Sequence, residues 1–347
     1  MNKDKLAGIL QIIQIGITKS ETIIPGTQSI YFNNGVIASF NDKFCVKADC
    51  DVNVKGSVSG NDLIRLIKKI PLKDIELKDN KDSVVINYGK NEAMLYKIAD
   101  TKVPNYVDTI FGKELLKQTL PPDFSQMLSV CMFPQGEHSK DGVYIVDNEL
   151  YAIHGPNVAR HIMPYSFHEI FWLPKEAVQT IIIISNTMQA DTCAITATHF
   201  YLYGEGFSIA MRLRFASEFP YDTAKKYLDR FTPGKNTKRI HFPEETLVAL
   251  DRVSTTAVKG AYEQYIVTMD MYKETIIRSD NGTSTIEEII DIDNDDIPEV
   301  SCHIPVQYFK HMFGISPNMY FMQDDGMNML VIATDSYKHL LKVTLEA

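Results

Sequence analysis

A pattern of helix, strands, helix, strands occurs three times along the chain, at a period of about 115 to 130 residues. The second helix of each copy is predicted from segments that begin at Val58 (VSGNDLIRLIKKI), Leu173 (LPKEAVQTIIIIS) and Ile304 (IPVQYFKHMFG). Pro174 and Pro305 stand where a first helical turn tolerates proline. A repeat of this length constrains the fold more than any other feature of the sequence, because it predicts similar units in series.

The remaining parts of the repeat also match from copy to copy. Helix candidates with apolar residues at three-to-four spacing open each copy: NKDKLAGILQIIQIGI, LPPDFSQMLSVCMF and FPEETLVALDRVSTTAV. Stretches rich in β-branched and aromatic residues, broken by Gly and Asn, follow each helix and are typical of antiparallel hairpins. Similar connectors, KVPNY at Lys102 and EFPYD at Glu218, end the first two copies.

These elements predict an α+β fold with three repeated domains at 1–111, 112–231 and 232–347, each with two helices packed on antiparallel sheets. The segment Gln179–Ser185 is ambiguous, because its four consecutive isoleucines favour a strand by propensity. Its position in the repeat favours a helix, and we predict a helix there.

Composition agrees with a folded, water-soluble protein. The chain has 347 residues, of which 45% are hydrophobic and 23% charged, so each copy can bury a core. Neither a signal peptide nor an apolar run of about 18 residues is evident, so no membrane partner is expected. The five cysteines are scattered, which favours buried free thiols in a reducing cytoplasm.

No pattern points to catalysis or to a metal. The acidic run from Asp291 has Asp296 and Cys302 where a calcium loop needs Gly and Glu, so a solvated loop is expected. Neither a phosphate-binding Gly-rich loop nor a nucleophile elbow is present. We therefore predict no catalytic residue, no cofactor and no metal site, the last despite four histidines in one region: His138, His154, His161 and His168.

Charge is informative in its distribution and not in its sum. The net charge of −9 argues at first against a nucleic-acid partner. On the helix candidate 61–70, however, three basic residues fall together on the face opposite the leucines and isoleucines: Arg65, Lys68 and Lys69. Such a stripe is either an ordinary solvated surface or part of a phosphate-binding surface.

In the order of its elements the chain resembles the bacterial replicative sliding clamp, the beta subunit of DNA polymerase III, over essentially its whole length. The best local features are the connector FPYD at Phe219, the loop AIHGPNVARHIMP at Ala152 and the C-terminal strand LLKVTLEA. Such a divergent copy looks like a phage-encoded or otherwise remote relative, so the resemblance implies the cytoplasm of a bacterial or phage-infected bacterial cell. The resemblance implies a non-enzymatic homodimer, a ring of six similar domains around duplex DNA, with a DNA polymerase and a clamp loader as partners.

In such a ring the helices line the hole, and basic side chains on them contact phosphates without reading sequence. The implied DNA-facing residues are Lys3, Lys5, Lys19, Arg65, Lys68, Lys69, His138, Lys140, Lys175, Arg252, Lys259, Lys310 and His311. Arg252 and Lys259 are expected about two turns apart on one helix. The second copy has few basic residues on its helices, so its DNA-facing residues come mainly from the loop HSKDG.

The family also has a hydrophobic groove that takes a short peptide from partner proteins. Carried over, the groove residues are Gly155, Pro156, Asn157, Val158, Pro220, Ala224, Leu340, Leu341 and Val343. Asn157 and Ala224 stand where the family commonly offers basic residues, so a different peptide preference is expected. Ordinary core and turn positions are the alternative interpretation.

By the family pattern, the junction between subunits pairs strand 93–98 of one chain with 264–269 of the other. Two other classes of function stay open from the sequence. One is a scaffolding protein of repeated α/β modules without a DNA role, and the other is an enzyme whose site is assembled across domains.

Overall fold

The structure is a computed structural model that describes residues 1–18, 26–99, 102–132, 141–155, 157–232, 234, 237–260, 265–272, 274–292, 298–324 and 326–346. Within these ranges there are eight α-helices and twenty-four β-strands, and six of the helices follow the predicted order of helix, strands, helix, strands in the three copies.

The first copy runs through α1 (Lys3–Ile13), β1 (Ser29–Asn33), β2 (Val36–Phe40), β3 (Phe44–Asp49), β4 (Lys55–Ser59), α2 (Gly60–Lys69), β5 (Glu76–Asp79), β6 (Ser83–Tyr88) and β7 (Asn91–Tyr96). The connector to the second copy contains α3 (Lys102–Phe111) and β8 (Gln118–Thr119).

The second copy contains α4 (Phe124–Cys131), β9 (Gly142–Val146), β10 (Glu149–His154), β11 (Asn157–Ile162), β12 (Phe171–Pro174), α5 (Lys175–Thr187), β13 (Ala190–Ile195), β14 (His199–Gly204) and β15 (Phe207–Arg212). The next connector forms α6 (Tyr221–Arg230).

The third copy contains β16 (Thr237–His241), α7 (Glu245–Val253), β17 (Val258–Lys259), β18 (Tyr265–Met271), β19 (Glu274–Asp280), β20 (Thr285–Asp291), β21 (Val300–Pro305), α8 (Val306–Ile315), β22 (Asn318–Asp324), β23 (Met327–Ala333) and β24 (Tyr337–Leu345). The predicted α+β class of repeated helix and antiparallel sheet units is confirmed.

Two compact units make up the chain. Unit 1 comprises Met1–Pro122 and Gln179–Leu213, and unit 2 comprises Asp123–Val178 and Arg214–Ala347. This division passes through the second copy of the repeat, so it does not test the predicted three-domain boundaries, which stay a prediction.

In unit 1 an eight-stranded antiparallel sheet has the order β4-β1-β2-β3-β15-β14-β13-β8, and β5-β6-β7 form a separate sheet. The pairing of β3 with β15, with Cys45 opposite Ala210, joins strands of the first and second copies. In unit 2 the path β12-β9-β10-β11-β24-β21-β18-β19-β20 joins the second and third copies, with Val158 of β11 opposite Leu340 of β24. Each junction between copies is thus a continuous sheet.

Local signals explain why these helices form where they do. The Ser59 hydroxyl accepts the N–H of Asp62 at 3.4 Å and caps α2. In α5 the isoleucine run is helical as predicted, because Ile181 and Ile184 are buried three residues apart while Ile183 is exposed. Tertiary burial on one face therefore overrides the strand propensity of this segment.

The two connectors form amphipathic helices that the sequence did not predict. In unit 1, α3 buries Val103 and Val107 in a cluster with Ala38 and Tyr201 of the sheet. In unit 2, α6 buries its own apolar residues against β10, β11, β23 and β24. Each connector therefore covers the face of a sheet that would otherwise be exposed.

One helix is shorter than expected. Helix α7 ends at Val253, and the hydroxyls of the next two residues donate to carbonyls of its last turn: Ser254 to Asp251 at 2.9 Å and Thr255 to Arg252 at 2.8 Å. Such side-chain bonds compete with continued helix. Lys259 consequently lies on strand β17, and its predicted place on the same helix as Arg252 is wrong.

All five cysteines are buried and free, as expected. Trp172 is buried and packs edge-on against Phe219, with ring centroids 5.4 Å apart. The part of the chain that the structure describes contains no helix of the length and apolarity that a bilayer crossing requires. The acidic run after Asp291 lies mostly outside the described residues.

Candidate functional site

A cavity of about 330 Å³ lies in unit 2 beside helix α6. Four elements form its walls: the β10–β11 hairpin, α6, β23 and β24. Its lining consists of Ile153, Gly155, Val158, Pro220, Thr223, Ala224, Tyr227, Met327, Met329, Leu340 and Lys342. A mainly apolar concavity with few polar groups is typical of a site that takes a small ligand or a short peptide.

Strand register places the groove residues on one face of the sheet. Val331 pairs with Leu340 and Met329 pairs with Lys342. Because residues two apart on a strand point to the same side, Leu340 and Lys342 both face the cavity. Gly155, at the β10–β11 turn, has a φ of 55°, a left-handed conformation that favours glycine.

Aromatic packing holds α6 in place beside this face. The ring of Tyr144 stacks on Phe219 with centroids 4.4 Å apart, and Tyr151 meets Tyr221 edge-on at 5.1 Å. The Lys338 ammonium donates to the carbonyl of Leu228 near the end of the helix at 3.1 Å. These contacts hold the helix against the sheet and so maintain the cavity beside it.

The predicted groove residues divide into three groups. Five of them line the cavity: Gly155, Val158, Pro220, Ala224 and Leu340. Leu341 and Val343 lie on the opposite face of β24, where Leu341 pairs with the buried Leu330, so the structure does not bring them to the cavity. Asn157 is buried beside the turn but does not line the cavity, and Pro156 lies outside the described residues.

Sequence reasoning missed six residues of the lining: Ile153, Thr223, Tyr227, Met327, Met329 and Lys342. Two of them had a usable signal. Tyr227 follows Ala224 by three residues on a helix, and Lys342 follows Leu340 by two on a strand. The methionines of β23 had none, because only the tertiary pairing brings that strand beside α6.

The basic face of α2 is present in unit 1. Lys68 and Lys69 are exposed, and neither makes an ion pair with a residue that the structure describes. Arg65 is exposed and pairs with Asp62 at 2.7 Å, an exposed contact that leaves the guanidinium accessible. This face retains most of its positive charge.

The other basic residues of the first copy are less available. The Lys3 ammonium donates to the carbonyl of Ile70 at 2.9 Å. Lys5 forms an ion pair with Asp51, which raises the pKa of the Lys5 ammonium. Lys19 lies outside the described residues.

Ion pairs offset the basic residues of the third copy. Arg252 contacts Glu288 at 3.0 Å, and Lys310 pairs with Asp251. The Lys259 ammonium lies 5.9 Å from the ring centroid of Tyr265. The positive surface of this copy is therefore weaker than the sequence alone indicates.

Among the described residues, the second copy contributes the least positive charge. Lys175 is half-buried at the start of α5, and its backbone N–H donates to the carbonyl of Asp141 at 3.2 Å. The other two predicted residues of this copy, His138 and Lys140, lie outside the described ranges.

His311 belongs to a buried polar network in unit 2. Its Nε2 donates to the carbonyl of Val130 at 2.9 Å, and the Tyr337 hydroxyl donates to the same oxygen at 3.2 Å. The Tyr337 hydroxyl can then accept from Nδ1 of His339, 3.2 Å away. Burial lowers the pKa of His311, and that of His339 further, so His311 is a neutral donor and not a DNA-facing cation.

This network predicts acid sensitivity. Because burial depresses both histidine pKa values in the folded state, the unfolded chain takes up protons first as pH falls below about 6.5. The contribution of the neutral histidines to the free energy of unfolding is therefore fully present above that pH. It declines below that pH, by up to about 1.4 kcal/mol per unit of pKa difference. Thermal unfolding of His311→Gln, which keeps a donor for Val130, should depend less steeply on pH between 7 and 5 than the unmodified protein.

The matched control is His241→Gln, at an exposed histidine. It should leave the pH dependence unchanged. Equal slopes for His311→Gln and the unmodified protein would contradict the assignment of a neutral, half-buried imidazole.

Several strands have an unpaired edge among the described residues, and two of them, β7 and β20, also expose apolar side chains. Strand β7 pairs only with β6, and β20 pairs only with β19. Both edge strands expose apolar side chains: Tyr96 is 74% exposed and Ile289 62%. Exposed apolar edges of this kind are pairing sites for another chain.

Strand β18 has no such edge. It pairs with β21 on one side and with β19 and β17 on the other. The interpretation of 264–269 as the junction strand is therefore wrong, since its backbone groups are already paired within the chain; Gln264 itself lies outside the described residues.

Comparison with solved structures defines the class of fold. The chain matches bacterial sliding clamps over 99% of its own length and 98% of each of theirs. A DnaN sliding clamp (DNA polymerase III subunit beta) from Bartonella birtlesii, bound to griselimycin, is 16% identical with a TM-score of 0.79. The DNA polymerase sliding clamp from Caulobacter crescentus is 13% identical with a TM-score of 0.76.

The beta subunit of a Streptococcus pyogenes DNA polymerase is likewise 13% identical, with a TM-score of 0.75. By sequence, no family model matches the chain, and no curated protein matches it either. The chain thus has the fold of the bacterial DNA polymerase III beta subunit, at only 13 to 16% sequence identity to these structures.

Proposed function

We propose that this protein is a sliding clamp, a non-enzymatic processivity factor that encircles duplex DNA and tethers a DNA polymerase. Two chains form a closed ring, a separate ATP-driven clamp loader opens it, and the groove beside α6 captures a peptide of the polymerase. The fold and the groove support this function, and one observation carries it: the way the chain pairs its own repeated strands.

Neighbouring copies pair through corresponding strands, and one such pairing is missing within the chain. Strand β3 of the first copy pairs with β15, and β11 of the second copy pairs with β24. Strand β20 holds the corresponding place in the third copy, and β7 holds the place of β15 and β24 in the first. Each has a partner on one side only among the described residues, so the rule is completed when β20 of one chain pairs with β7 of another.

Such a contact is heterologous, because different surfaces meet, and it either closes into a ring or continues as a fibre. Closure with two chains gives six similar units and leaves no exposed edge of this kind. The resemblance to known clamps favours the closed ring over the fibre.

The charge distribution supports a loose grip on DNA. The net charge of −9 disfavours general adhesion to nucleic acid, whereas the basic face of α2 offers phosphate contacts that read no sequence. A topological link keeps the polymerase near its substrate without strong affinity for DNA.

Retention on DNA with blocked ends tests this function. The protein is threaded onto linear duplex through free ends, the ends are then capped with a bulky protein, and retention is measured in salt. We expect retention on the capped duplex and rapid loss after a nuclease cuts it internally, because only a topological link depends on the ends.

Charge reversal refines the test. Replacing Arg65, Lys68 and Lys69 by Glu should lower threading several-fold at about 50 mM salt, since phosphate contacts are strongest at low ionic strength. Reversing three exposed lysines away from that face, Lys113, Lys225 and Lys226, changes the net charge equally and should have little effect. Loss that is independent of the internal cut would contradict the ring and favour a scaffold without a DNA role.

A further inference from the structure

A second cavity, of about 220 Å³, lies in unit 1 where β3 pairs with β15, and we call it the unit 1 cleft. Polar groups make up most of its lining, in contrast to the apolar groove beside α6. Three of its residues are charged: Lys47 and Asp49 on β3, and Lys117 between α3 and β8. A polar concavity with an excess of ammonium groups suits a small anion.

Strand register identifies the positions of unit 2 that correspond to this cleft. Lys47 pairs with Ser208 where β3 meets β15, and Arg160 pairs with Lys338 where β11 meets β24. Two residues further along β3 and β11, the backbone N–H donates to a carbonyl of the turn before β15 and β24, at 2.8 and 2.7 Å respectively. Arg160 is therefore the counterpart of Lys47, and Lys338 is the counterpart of Ser208.

One difference between the two units leaves the charge of Lys47 available. In unit 2 the Arg160 guanidinium contacts the carboxylate of Glu149, the first residue of β10, at 3.5 Å. Val36, the first residue of β2, stands at the corresponding position in unit 1. Because valine has no charge, Lys47 lacks this acidic neighbour, and it makes no ion pair with any residue that the structure describes.

A second difference leaves room for a ligand. In unit 2 the long side chain of Lys338 reaches helix α6 and donates to the carbonyl of Leu228 at 3.1 Å. Its counterpart Ser208 has a short side chain that cannot span such a distance. The Ser208 hydroxyl lines the unit 1 cleft and makes no hydrogen bond within the described part of the chain, so it is a donor that a ligand can use.

Lys117 brings a second ammonium group to the cleft. Its Nζ lies 4.3 Å from the ring centroid of Tyr203, which also lines the cleft. The attraction between the cation and the ring holds the ammonium at this wall without neutralising its charge. Lys117 is exposed, and none of the described residues forms an ion pair with it.

The carboxylate of Asp49 determines which anion fits. It lies beside the turn at Gly206, where a Cβ would be 3.8 Å from its Oδ2. An ionised carboxylate can only accept hydrogen bonds, so it repels an oxyanion that has no proton. Inorganic phosphate keeps at least one proton near neutral pH and can donate it to a carboxylate, whereas sulfate keeps none.

We propose that the unit 1 cleft is a binding site for hydrogen phosphate. The ammonium groups of Lys47 and Lys117 and the Ser208 hydroxyl donate to its oxygens. The Asp49 carboxylate accepts the hydrogen bond from its remaining proton. Lysine binds phosphate as a point charge, so this site needs no bidentate arginine.

Calorimetric titration of the full chain tests the site, in a phosphate-free buffer at pH 7.5 and low ionic strength. We expect inorganic phosphate to bind with a Kd on the order of 1 mM, since partly exposed charge pairs are weak. Sulfate should bind at least about tenfold more weakly, because it leaves the carboxylate without a donor. Methyl phosphate should also bind more weakly than phosphate, because a phosphate monoester with a second pKa of about 6 has lost most of its protons at this pH.

Variants assign the binding to its residues. Lys47→Gln and Lys117→Gln should each weaken phosphate binding about two- to fivefold. Lys113→Gln, at an exposed lysine of the same connecting segment outside the cleft, should have no effect. Asp49→Asn should remove the preference for phosphate over sulfate, because an amide can donate to either ion. Thermal melting checks that each variant folds.

Three results would overturn the proposal. One is the absence of phosphate binding at 10 mM, about ten times the expected Kd. Another is equal binding of sulfate and phosphate by the unmodified protein. The third is phosphate binding that neither lysine variant weakens, which would place the ion elsewhere. None of these measurements involves DNA or a peptide, so their outcome leaves the proposed function to its own experiments.

Discussion

Replacing Ile289 by Asp is expected to convert the proposed two-chain ring into single chains. Ile289 is 62% exposed on the edge strand β20, beside the acidic Glu287 and Asp291 on the same face. Pairing with β7 would bury the new carboxylate without a partner, at a cost of several kcal/mol. Because a closed ring of two chains contains this junction twice, the substitution weakens both contacts. Light scattering should give a mass of 39.3 kDa for the variant, and twice that mass for the unmodified protein.

A second variant makes this test specific for a head-to-tail junction. Tyr96→Asp, on β7, should also give single chains. In an equimolar mixture with Ile289→Asp, the unmodified β7 of one variant can pair with the unmodified β20 of the other, so one junction per pair is restored. Two-chain particles should reappear in the mixture alone.

Ile170→Asp is the matched control, since Ile170 is also an exposed isoleucine but lies outside both edge strands. It should remain a dimer. A dimer that persists in Ile289→Asp, or no recovery in the mixture, would contradict the proposed pairing of β20 with β7.

Replacing Ala224 by Phe is expected to close the groove and weaken peptide capture at least about 100-fold, the size of effect seen when a central anchor pocket is lost. Ala224 is fully buried in its helix contact and also lines the cavity of about 330 Å³, so the added ring has room there. Filling a cavity commonly stabilises a protein, so the melting temperature should be unchanged or higher. Fluorescence anisotropy with labelled short peptides that bind the unmodified protein and a thermal melt measure both effects.

Lys225→Phe adds the same ring to the next residue of α6, which is exposed. It should bind the peptides normally, and both variants should still be retained on capped DNA. Full binding by Ala224→Phe would place the peptide site elsewhere. A large fall in melting temperature would instead show that the ring overpacks the helix contact, and Thr223→Trp, at an exposed lining position, then provides the second test.

The fold was predictable because the sequence repeats its own pattern. The isoleucine run in α5 shows how: local propensity favours a strand, but the two other copies have a helix at this position. The connectors α3 and α6 were missed because each occurs between copies. Their apolar faces can be interpreted only once the sheets that they cover are known.

The groove was predictable in part. Its loop, connector and strand were identified by resemblance, yet Leu341 and Val343 lie on the face of β24 away from the cavity, whereas Lys342 faces it. A shift of one residue along a strand moves a side chain to the other side of the sheet, so approximate alignment cannot assign the face.

The basic surface shows a similar limit. A helix pattern places Lys68 and Lys69 on a solvent-facing side, because both sides of an amphipathic helix follow from spacing alone. Whether a basic side chain is available to bind phosphate depends on residues distant in the chain. Arg252 is paired with Glu288, and His311 is bonded to the carbonyl of Val130.

The sequence by itself determined the threefold repeat, the α+β class and the helix stripes, because these follow from periodicity and composition within short segments. Only the tertiary structure decided which strands pair between copies, which edges stay open and which side chains form the cavity. Those features depend on register and on contacts between segments more than 100 residues apart, such as Val158 with Leu340, and no local pattern specifies them.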